Sequence, residues 1–199
     1  MRKWIGVLCI FLGVVCILSS VGFVVYNRWE DKNAEEIAQD LLRGVQSIID
    51  EKQPEQPLPD DTEKIPAEMA TIEVDGYDCI GVLSVPALNL ELPVLADWSY
   101  AKLKKAPCHY YGTYYEKDFV IAAHNYKSHF GRLSELQTGD IVIFTDVNGA
   151  DHCYEVVLLE TLPKEATKEM IASGFALSLY TCTPGGASRV TVRCDAITQ

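Results

Sequence analysis

The sequence predicts an all-β domain that follows an N-terminal transmembrane helix. Runs of β-branched and aromatic residues, separated by turn signals, recur from near Ala70 to the end of the chain. A long stretch without any charged residue lies near the N-terminus. The length of 199 residues allows one domain of ordinary size together with an anchor and a spacer.

The uncharged stretch runs from Trp4 to Tyr26. About 20 apolar residues suffice to cross a bilayer as a helix, so the stretch is long enough to span a membrane. A cleaved signal peptide has a shorter apolar centre, and here the apolar run continues past the faint cleavage pattern that begins at Leu18. Residues 1–27 are therefore predicted to be a retained membrane anchor.

Basic residues flank the predicted anchor on both sides. Arg2 and Lys3 favour a cytoplasmic N-terminus, although Arg28 and Lys32 on the other side reduce the bias. This orientation predicts a single-pass protein whose remaining residues lie outside the cytoplasm.

Residues 28–69 are predicted to connect the anchor to the domain. Apolar residues recur at helical spacing over residues 34–50, which predicts an amphipathic helix that is either a stalk or packed on the domain. Proline and acidic residues dominate from Gln53 to Pro66 and indicate an extended spacer. The folded domain is predicted to comprise residues 70–199.

Seven strands and one helix are predicted within that domain. Asn148 and Gly149 indicate a hairpin turn between two of the strands, and the helix is predicted over Lys164–Ser173. Seven strands with little helix indicate a closed or nearly closed β structure. The predicted strands are Tyr77–Val85, Leu88–Leu95, Phe119–Ala123, Ile141–Asp146, Cys153–Glu160, Ala176–Cys182 and Arg189–Asp195.

The charge of the chain disfavours nucleic acid as a partner. The formal net charge is −11, and no stripe of Lys and Arg is visible along the sequence. Phosphate backbones are bound by clustered basic residues that displace counterions. We therefore expect the acidic residues to form solvated surfaces.

Five of the seven cysteines fall in the domain, so at least one thiol stays unpaired in a monomer. No two cysteines show the CxxC spacing of a zinc or redox site, so neither a metal nor a cofactor is predicted. The alternation of apolar residues predicts that Cys79 and Cys194 point into the core. Cys108 and Cys153 could lie on either face, and a disulfide among these four cysteines stays open.

Cys182 is the candidate nucleophile, because it ends a strand on the more polar face. A thiol attacks as its thiolate, so it needs a nearby cation or base, and acyl transfer also needs a donor for the developing oxyanion. A Pro-Gly-Gly turn separates Cys182 from Arg189, which begins the next strand, so thiol and guanidinium are predicted to meet across a hairpin. His124 ends a buried-type strand and is the candidate base at the rim.

Together these segments resemble the sortase family. A strand ending in histidine (FVIAAHN), a later strand ending in Thr-Cys (LSLYTC) and an arginine heading the last strand (RVTVR) follow the family's order, over roughly Gly76 to Ile197. The segments GVLSVPALNLELPV and FGRLSELQTGD are also similar to the family. The resemblance implies an eight-stranded β-barrel with one or two short helices.

The resemblance also implies a function and the roles of individual residues. Sortases cut a sorting motif of the LPxTG kind between Thr and Gly and pass the resulting thioester to an amine, such as a peptidoglycan precursor or a pilin lysine. Cys182 would attack, His124 would transfer protons, Arg189 would hold the substrate or oxyanion, and Thr181 would help to bind the substrate. Arg193, on the same strand face, is the alternative to Arg189. The family implies the outer face of the membrane of a Gram-positive-type bacterium.

Three alternatives are less consistent with the sequence. An L,D-transpeptidase would carry a Ser-His-Gly-Cys signature, which is absent, and in a papain-like hydrolase the cysteine precedes the histidine. A non-catalytic membrane-tethered β domain that binds a surface protein would be expected to lack one of the three site residues.

Between Asn27 and Ala70 the sequence has no Asp-Pro-aromatic lid motif, which disfavours the pilin-polymerising branch.

Overall fold

The computed structural model describes residues 2–52 and 69–197, so the predicted spacer over residues 53–66 lies outside the described residues. The chain divides into two compact units, Met1–Asn33 and Ala34–Gln199. One helix, α1 (Arg2–Lys52), contributes residues to both units.

In the first unit, α1 exposes its apolar side chains, among them Phe11, Leu12 and Leu18. The hydroxyls of Ser19 and Ser20 donate to the carbonyls of Val15 and Cys16, which satisfies the two polar groups within the helix itself. Within the described residues, the stretch Ile10–Glu51 is long and apolar enough to cross a membrane. The N-terminal helix therefore fits a membrane anchor.

In the second unit, α1 packs against the β domain. Gly44 permits the close approach, because a Cβ at this position would clash with the side chain of Val74. The helix side of this contact forms one apolar cluster with Cys79, Val82 and Leu95. Of the two predicted alternatives, stalk or packed helix, the structure has the packed helix. Its buried side chains are Ala34, Ala38, Leu41, Leu42, Val45 and Ile49.

In the part of the chain that the structure describes, nine strands follow α1. They are β1 (Ile72–Val74), β2 (Tyr77–Val85), β3 (Leu90–Leu95), β4 (Cys108–Tyr111), β5 (Phe119–Ala122), β6 (Ile141–Asp146), β7 (Asp151–Pro163), β8 (Leu177–Cys182) and β9 (Ser188–Ala196). Two short helices, α2 (Tyr100–Leu103) and α3 (Thr167–Ile171), and two 3₁₀ turns, Pro86–Leu88 and Leu133–Glu135, lie between them.

Eight of the strands close into a barrel. They pair in the order β2-β3-β4-β5-β8-β9-β7-β6, and β6 pairs again with β2 through residues such as Gly81 and Asp146. Strand β1 extends the edge of β2 outside the closed ring. The predicted eight-stranded barrel is thereby confirmed.

The structure corrects several element boundaries. Strands β1 and β4 were not predicted, because three or four residues are too short to show a period-two pattern. Pro86–Leu88 form a 3₁₀ turn, so β3 begins at Leu90 and not at Leu88. The helix predicted over Lys164–Ser173 is only α3.

The barrel interior follows the strand alternation. Leu177 and Leu179 of β8 and Val192 and Cys194 of β9 are fully buried in one apolar core. Strand residues alternate between the two faces, so Ser178, Tyr180 and Cys182 point to the outer face of β8. The candidate site accordingly lies on the outer face of β8 and β9.

Candidate active site

The pairing of β5 with β8 brings the segment that leads into His124 beside the strand that ends at Cys182. The two strands are parallel, and Ala122 pairs with Tyr180. The same register continues beyond the strand ends, because the amide of Ala123 donates to the Tyr180 carbonyl at 3.2 Å. The hydroxyl of Thr181 donates to the carbonyl of Ala123 at 2.9 Å, so the residues directly before His124 and Cys182 are in contact, although His124 itself does not line the groove beside Cys182.

The pairing of β8 with β9 brings Arg189 to the other side of the thiol. These strands are antiparallel, and Cys182 pairs directly with Arg189. His124, Cys182 and Arg189 are all half-buried. Cys182 therefore pairs with Arg189 on one side, and on the other side its strand borders the segment that leads into His124.

A tight turn keeps Arg189 in this register. The amide of Thr183 donates to the Ser188 carbonyl at 3.0 Å, and the amide of Gly186 donates to the Thr183 carbonyl at 2.8 Å. Gly185 and Gly186 both have positive φ angles, which glycine adopts without a steric penalty. The short Pro-Gly-Gly segment thus makes Arg189 pair with the cysteine.

Two residues that sequence reasoning did not single out surround the His124 ring. Nδ1 of His124 lies 3.1 Å from both the side-chain oxygen and the backbone amide of Asn125. The amide can donate to a neutral ring, whereas the oxygen can accept from an imidazolium, so Asn125 has a partner for each protonation state. The ring of Tyr126 stacks on that of His124 with centroids 4.2 Å apart and planes 8° apart. The sequence could have indicated both residues, because they follow the candidate histidine directly along the chain.

The guanidinium of Arg189 uses only some of its N–H groups in hydrogen bonds to the protein. Its Nη1 donates to the carbonyls of Gly186 and Ser188, each at 3.1 Å. Among the described residues, its other N–H groups have no protein acceptor within hydrogen-bonding range. Those groups are available to an oxygen near the thiol.

Arg193, the predicted alternative to Arg189, does not reach the thiol. It is 1% exposed and pairs with Ser178, four residues before Cys182 on the neighbouring strand. Four residues of strand correspond to about 13 Å, and the Arg193 guanidinium donates to Glu160 and other protein groups. The structure therefore assigns the position beside Cys182 to Arg189.

The side chain of Thr181 points into the barrel, away from the outer face that carries Cys182. Its side chain is 3% exposed, and its hydroxyl donates to the carbonyl of Ala123 at 2.9 Å. A direct contact between this side chain and a substrate on the outer face is inconsistent with that geometry. Thr181 instead ties β8 to the residue before His124, which favours a positioning role over the predicted substrate contact.

A groove of about 140 Å³ runs along the outer face beside Cys182 and Arg189. One side is aromatic, with Trp98, Tyr110 and Tyr180 in edge-on or tilted ring contacts at 5.4–5.5 Å. The other side is formed by the segment around α3, namely Pro163, Lys164, Ala166, Thr167 and Met170. The groove holds the side chains of both Cys182 and Arg189, and we call it the thiol groove.

A second Cys-His neighbour pair lies at the other end of the barrel and is not equivalent. His152 and Cys153 line a larger depression of about 690 Å³ near the start of β8. Nε2 of His152 lies 3.3 Å from the Asp146 carboxylate, and its ring packs on Tyr114 at 4.5 Å. Consecutive strand residues point to opposite faces, so His152 does not address the Cys153 thiol.

The remaining barrel cysteines fit structural roles. Cys79, Cys108 and Cys194 are fully buried, and all five cysteines of the barrel are free thiols. Burial raises the pKa of Cys79 to about 11 and the pKa values of Cys108 and Cys194 to about 12. These three thiols are consequently poor nucleophiles at neutral pH.

Comparison with known families identifies the architecture. The family model described as "Sortase domain" matches residues 83–197, which is more than half of the chain. The chain belongs to the sortase family. The matched part of this sortase contains His124, Cys182 and Arg189. No curated protein sequence matches the chain.

Solved sortases share the fold. Sortase A from Corynebacterium diphtheriae is 23% identical with a TM-score of 0.55, and the match covers 62% of each chain. Sortase C1 from Streptococcus suis is 25% identical with a TM-score of 0.55, covering 61% of this chain and 74% of that one. Sortase C from Clostridium perfringens SM101 is 20% identical with a TM-score of 0.54, covering 82% and 91%. Sortases A and C match about equally well, so the likeness assigns no subclass.

Proposed function

We propose that this sortase cleaves an LPxTG-like sorting signal between Thr and Gly and transfers the protein to an amine acceptor. The observation that carries the proposal is the position of Cys182, which pairs with Arg189 on β9 and ends a strand that borders the segment leading into His124. Acyl transfer needs a nucleophile, a proton carrier and an oxyanion donor close together, and these three side chains supply one each.

In the first half-reaction, the Cys182 thiolate attacks the carbonyl carbon of the substrate threonine. A C–S bond forms, and the carbonyl electron pair moves to the oxygen, where N–H groups of Arg189 stabilise the charge. The intermediate collapses as the C–N bond breaks, and His124 donates a proton to the leaving glycine amine. In the imidazolium form the side-chain oxygen of Asn125 accepts from Nδ1, which leaves the proton on Nε2 of His124 for transfer. A thioester on Cys182 remains.

In the second half-reaction, an amine attacks the thioester carbon. His124 takes a proton from the incoming amine, a new C–N bond forms, and the C–S bond breaks to regenerate the Cys182 thiolate. The acceptor would be a peptidoglycan precursor or a pilin lysine, as in the family. The thiol groove, lined by Cys182 and Arg189, offers a place beside the nucleophile for part of a bound peptide.

The same proposal includes a membrane location. The exposed apolar helix of the first unit supports a single-pass anchor, with the N-terminus inside and the barrel outside the cell. An impermeant protease added to intact cells should degrade residues 34–199. Protection of the barrel until the membrane is permeabilised would reverse the orientation.

Peptide turnover tests the proposed reaction directly. The full chain in detergent micelles is incubated with a Leu-Pro-Glu-Thr-Gly peptide and triglycine, and products are identified by mass spectrometry. We expect the fragment ending in Thr to appear joined to triglycine, together with an acyl adduct on Cys182. A peptide library from which nothing is cleaved, or cleavage that persists in Cys182→Ala, would contradict the proposal.

A further inference from the structure

The buried guanidinium of Arg193 joins four segments around the thiol groove. Its Nε donates to Glu160 of β7 at 2.8 Å, and its Nη1 donates to the hydroxyl of Ser178 on β8 at 2.8 Å. Its Nη2 donates to the carbonyl of Glu169 at 2.8 Å, and Nη1 lies 3.4 Å from the carbonyl of Met170. One side chain on β9 therefore binds two barrel strands and the end of α3.

The bonds to α3 compensate for what the helix lacks. Helix α3 has five residues, and the last carbonyls of any helix have no partner within it. Arg193 donates to two of them and brings a positive charge to the carbonyl end, where cations are stabilising. A helix this short would not persist without tertiary contacts. Arg193 is thus a main contact that fixes α3 against the barrel.

Helix α3 is also one side of the thiol groove. Thr167 and Met170 line it, and Met170, whose carbonyl faces Arg193, is itself 4% exposed. The position of this side of the groove accordingly depends on a residue about 13 Å along the strand face from Arg189. The Arg193 side chain itself does not line the groove.

We infer that Arg193 is a positioning residue that sets peptide affinity by holding α3 as one side of the thiol groove. This inference rests on the proposed function, because it takes the substrate to be a peptide bound across Cys182. Its position does not touch His124, Cys182 or Arg189, so its loss should weaken peptide binding and spare the chemical step.

The test compares Arg193→Lys and Arg193→Met with the wild type as full chains in detergent. Lysine keeps the charge but cannot form the same set of planar N–H donors. We expect KM for the sorting peptide to rise about ten-fold or more in both variants, with kcat within about three-fold. The rate at which iodoacetamide alkylates Cys182 should stay within about two-fold, because a small reagent does not need the α3 side.

A matched control separates positioning from general destabilisation. Val156→Ala removes buried volume from β7 in the barrel core, away from α3, and should lower the melting temperature without raising KM. If Val156→Ala raised KM as much as Arg193→Lys, or if Arg193→Lys left KM unchanged, the inference would be wrong. If the Arg193 variants do not fold, Glu160→Gln takes their place in the test. This variant weakens only one hydrogen bond of Arg193, so we expect a smaller rise in KM.

Hydrogen exchange keeps this inference separate from the proposed function. Amides of residues 167–172 should exchange faster in Arg193→Lys than in the wild type, whereas those of β5 should not. Wild-type protein that cleaves no sorting peptide would refute the proposed function, yet the exchange rates would still report on α3. Unchanged exchange in α3 would overturn the positioning role in either case.

Discussion

Cys182 and Arg189 lie directly opposite each other on β8 and β9, and Ser178 and Arg193 form an equivalent pair on the same face. The two arginines differ in the residue that they oppose and in what covers them. Arg193 is buried beneath α3, whereas Arg189 is half-buried at the open edge of the barrel. Identical residue types on one strand face thus occupy a structural and a candidate catalytic position.

Replacing the nucleophile or the proton carrier should abolish transpeptidation without unfolding the barrel. Both Cys182→Ala and His124→Ala should reduce peptide turnover below about one-thousandth of the wild-type rate. The two side chains are half-buried at strand ends, so the circular dichroism spectrum and melting temperature should change little. Cys153→Ala is the control and should keep full activity. Substantial turnover by either site variant would contradict the mechanism.

Arg189→Lys should lose most activity although the charge is kept. A guanidinium offers several planar N–H donors, and loss of one oxyanion donor costs about 100- to 1,000-fold in kcat. Arg189 is partly exposed, so the melting temperature should hardly change. Steady-state kinetics with the sorting peptide measures the effect. A purely structural surface arginine would instead give a variant with nearly wild-type kcat.

Asn125 and Tyr126 should position the His124 ring. Asn125→Ala removes the oxygen that can accept from the imidazolium, and Tyr126→Leu removes the stacked ring. We expect kcat to fall about ten-fold in each, with KM nearly unchanged, because the proton carrier is misoriented. Tyr126→Phe keeps the ring and is the matched control. A fall in Tyr126→Phe equal to that in Tyr126→Leu would show that stacking is not responsible.

The buried thiols should make stability fall at alkaline pH. Cys79, Cys108 and Cys194 have folded pKa values of about 11 to 12, above those of exposed thiols. Between the unfolded and folded pKa values, the folded state holds protons that the unfolded state has lost, so unfolding is favoured as pH rises. The free energy of unfolding, measured by urea titration, should therefore decrease from about pH 9 toward pH 12.

Replacing one buried thiol tests this cause. Cys194→Ala should have a weaker pH dependence over that range, even if it is less stable at neutral pH. An identical slope in wild type and Cys194→Ala would assign the alkaline loss to other groups. At pH 8, iodoacetamide should label Cys182 before any of the three buried cysteines.

Residues 34–52 should be required for a stable barrel. Leu41, Leu42, Val45 and Ile49 are buried against it, and burial of each contributes roughly 1.5–3 kcal/mol. Their sum approaches the whole stability of an ordinary domain. A truncated chain starting at Ala34 should unfold cooperatively, whereas one starting at Ala70 should aggregate or melt far lower. Equal melting temperatures for the two chains would show that the helix is dispensable.

The sequence alone predicted seven of the nine described strands and supplied the candidate site residues, whose roles stay a prediction. An apolar run ends or begins abruptly at each predicted site residue, namely His124, Cys182 and Arg189. Such a local change is visible in the sequence without any tertiary information. Alternation also separated Cys194, which is buried, from Arg193 on the opposite face. The ordered combination of the three motifs indicated the family that the comparison then showed.

Only the tertiary structure decided what covers each face. Arg189 and Arg193 have the same alternation, and the choice between them depends on α3, which packs over one and not the other. Only the structure shows that the Thr181 hydroxyl donates to the carbonyl of Ala123, which is distant in sequence. Residues 34–49 of α1 are packed because Val74 and its neighbours present an apolar surface. A period along the chain reports which residues share a face, but burial depends on segments that are distant in sequence.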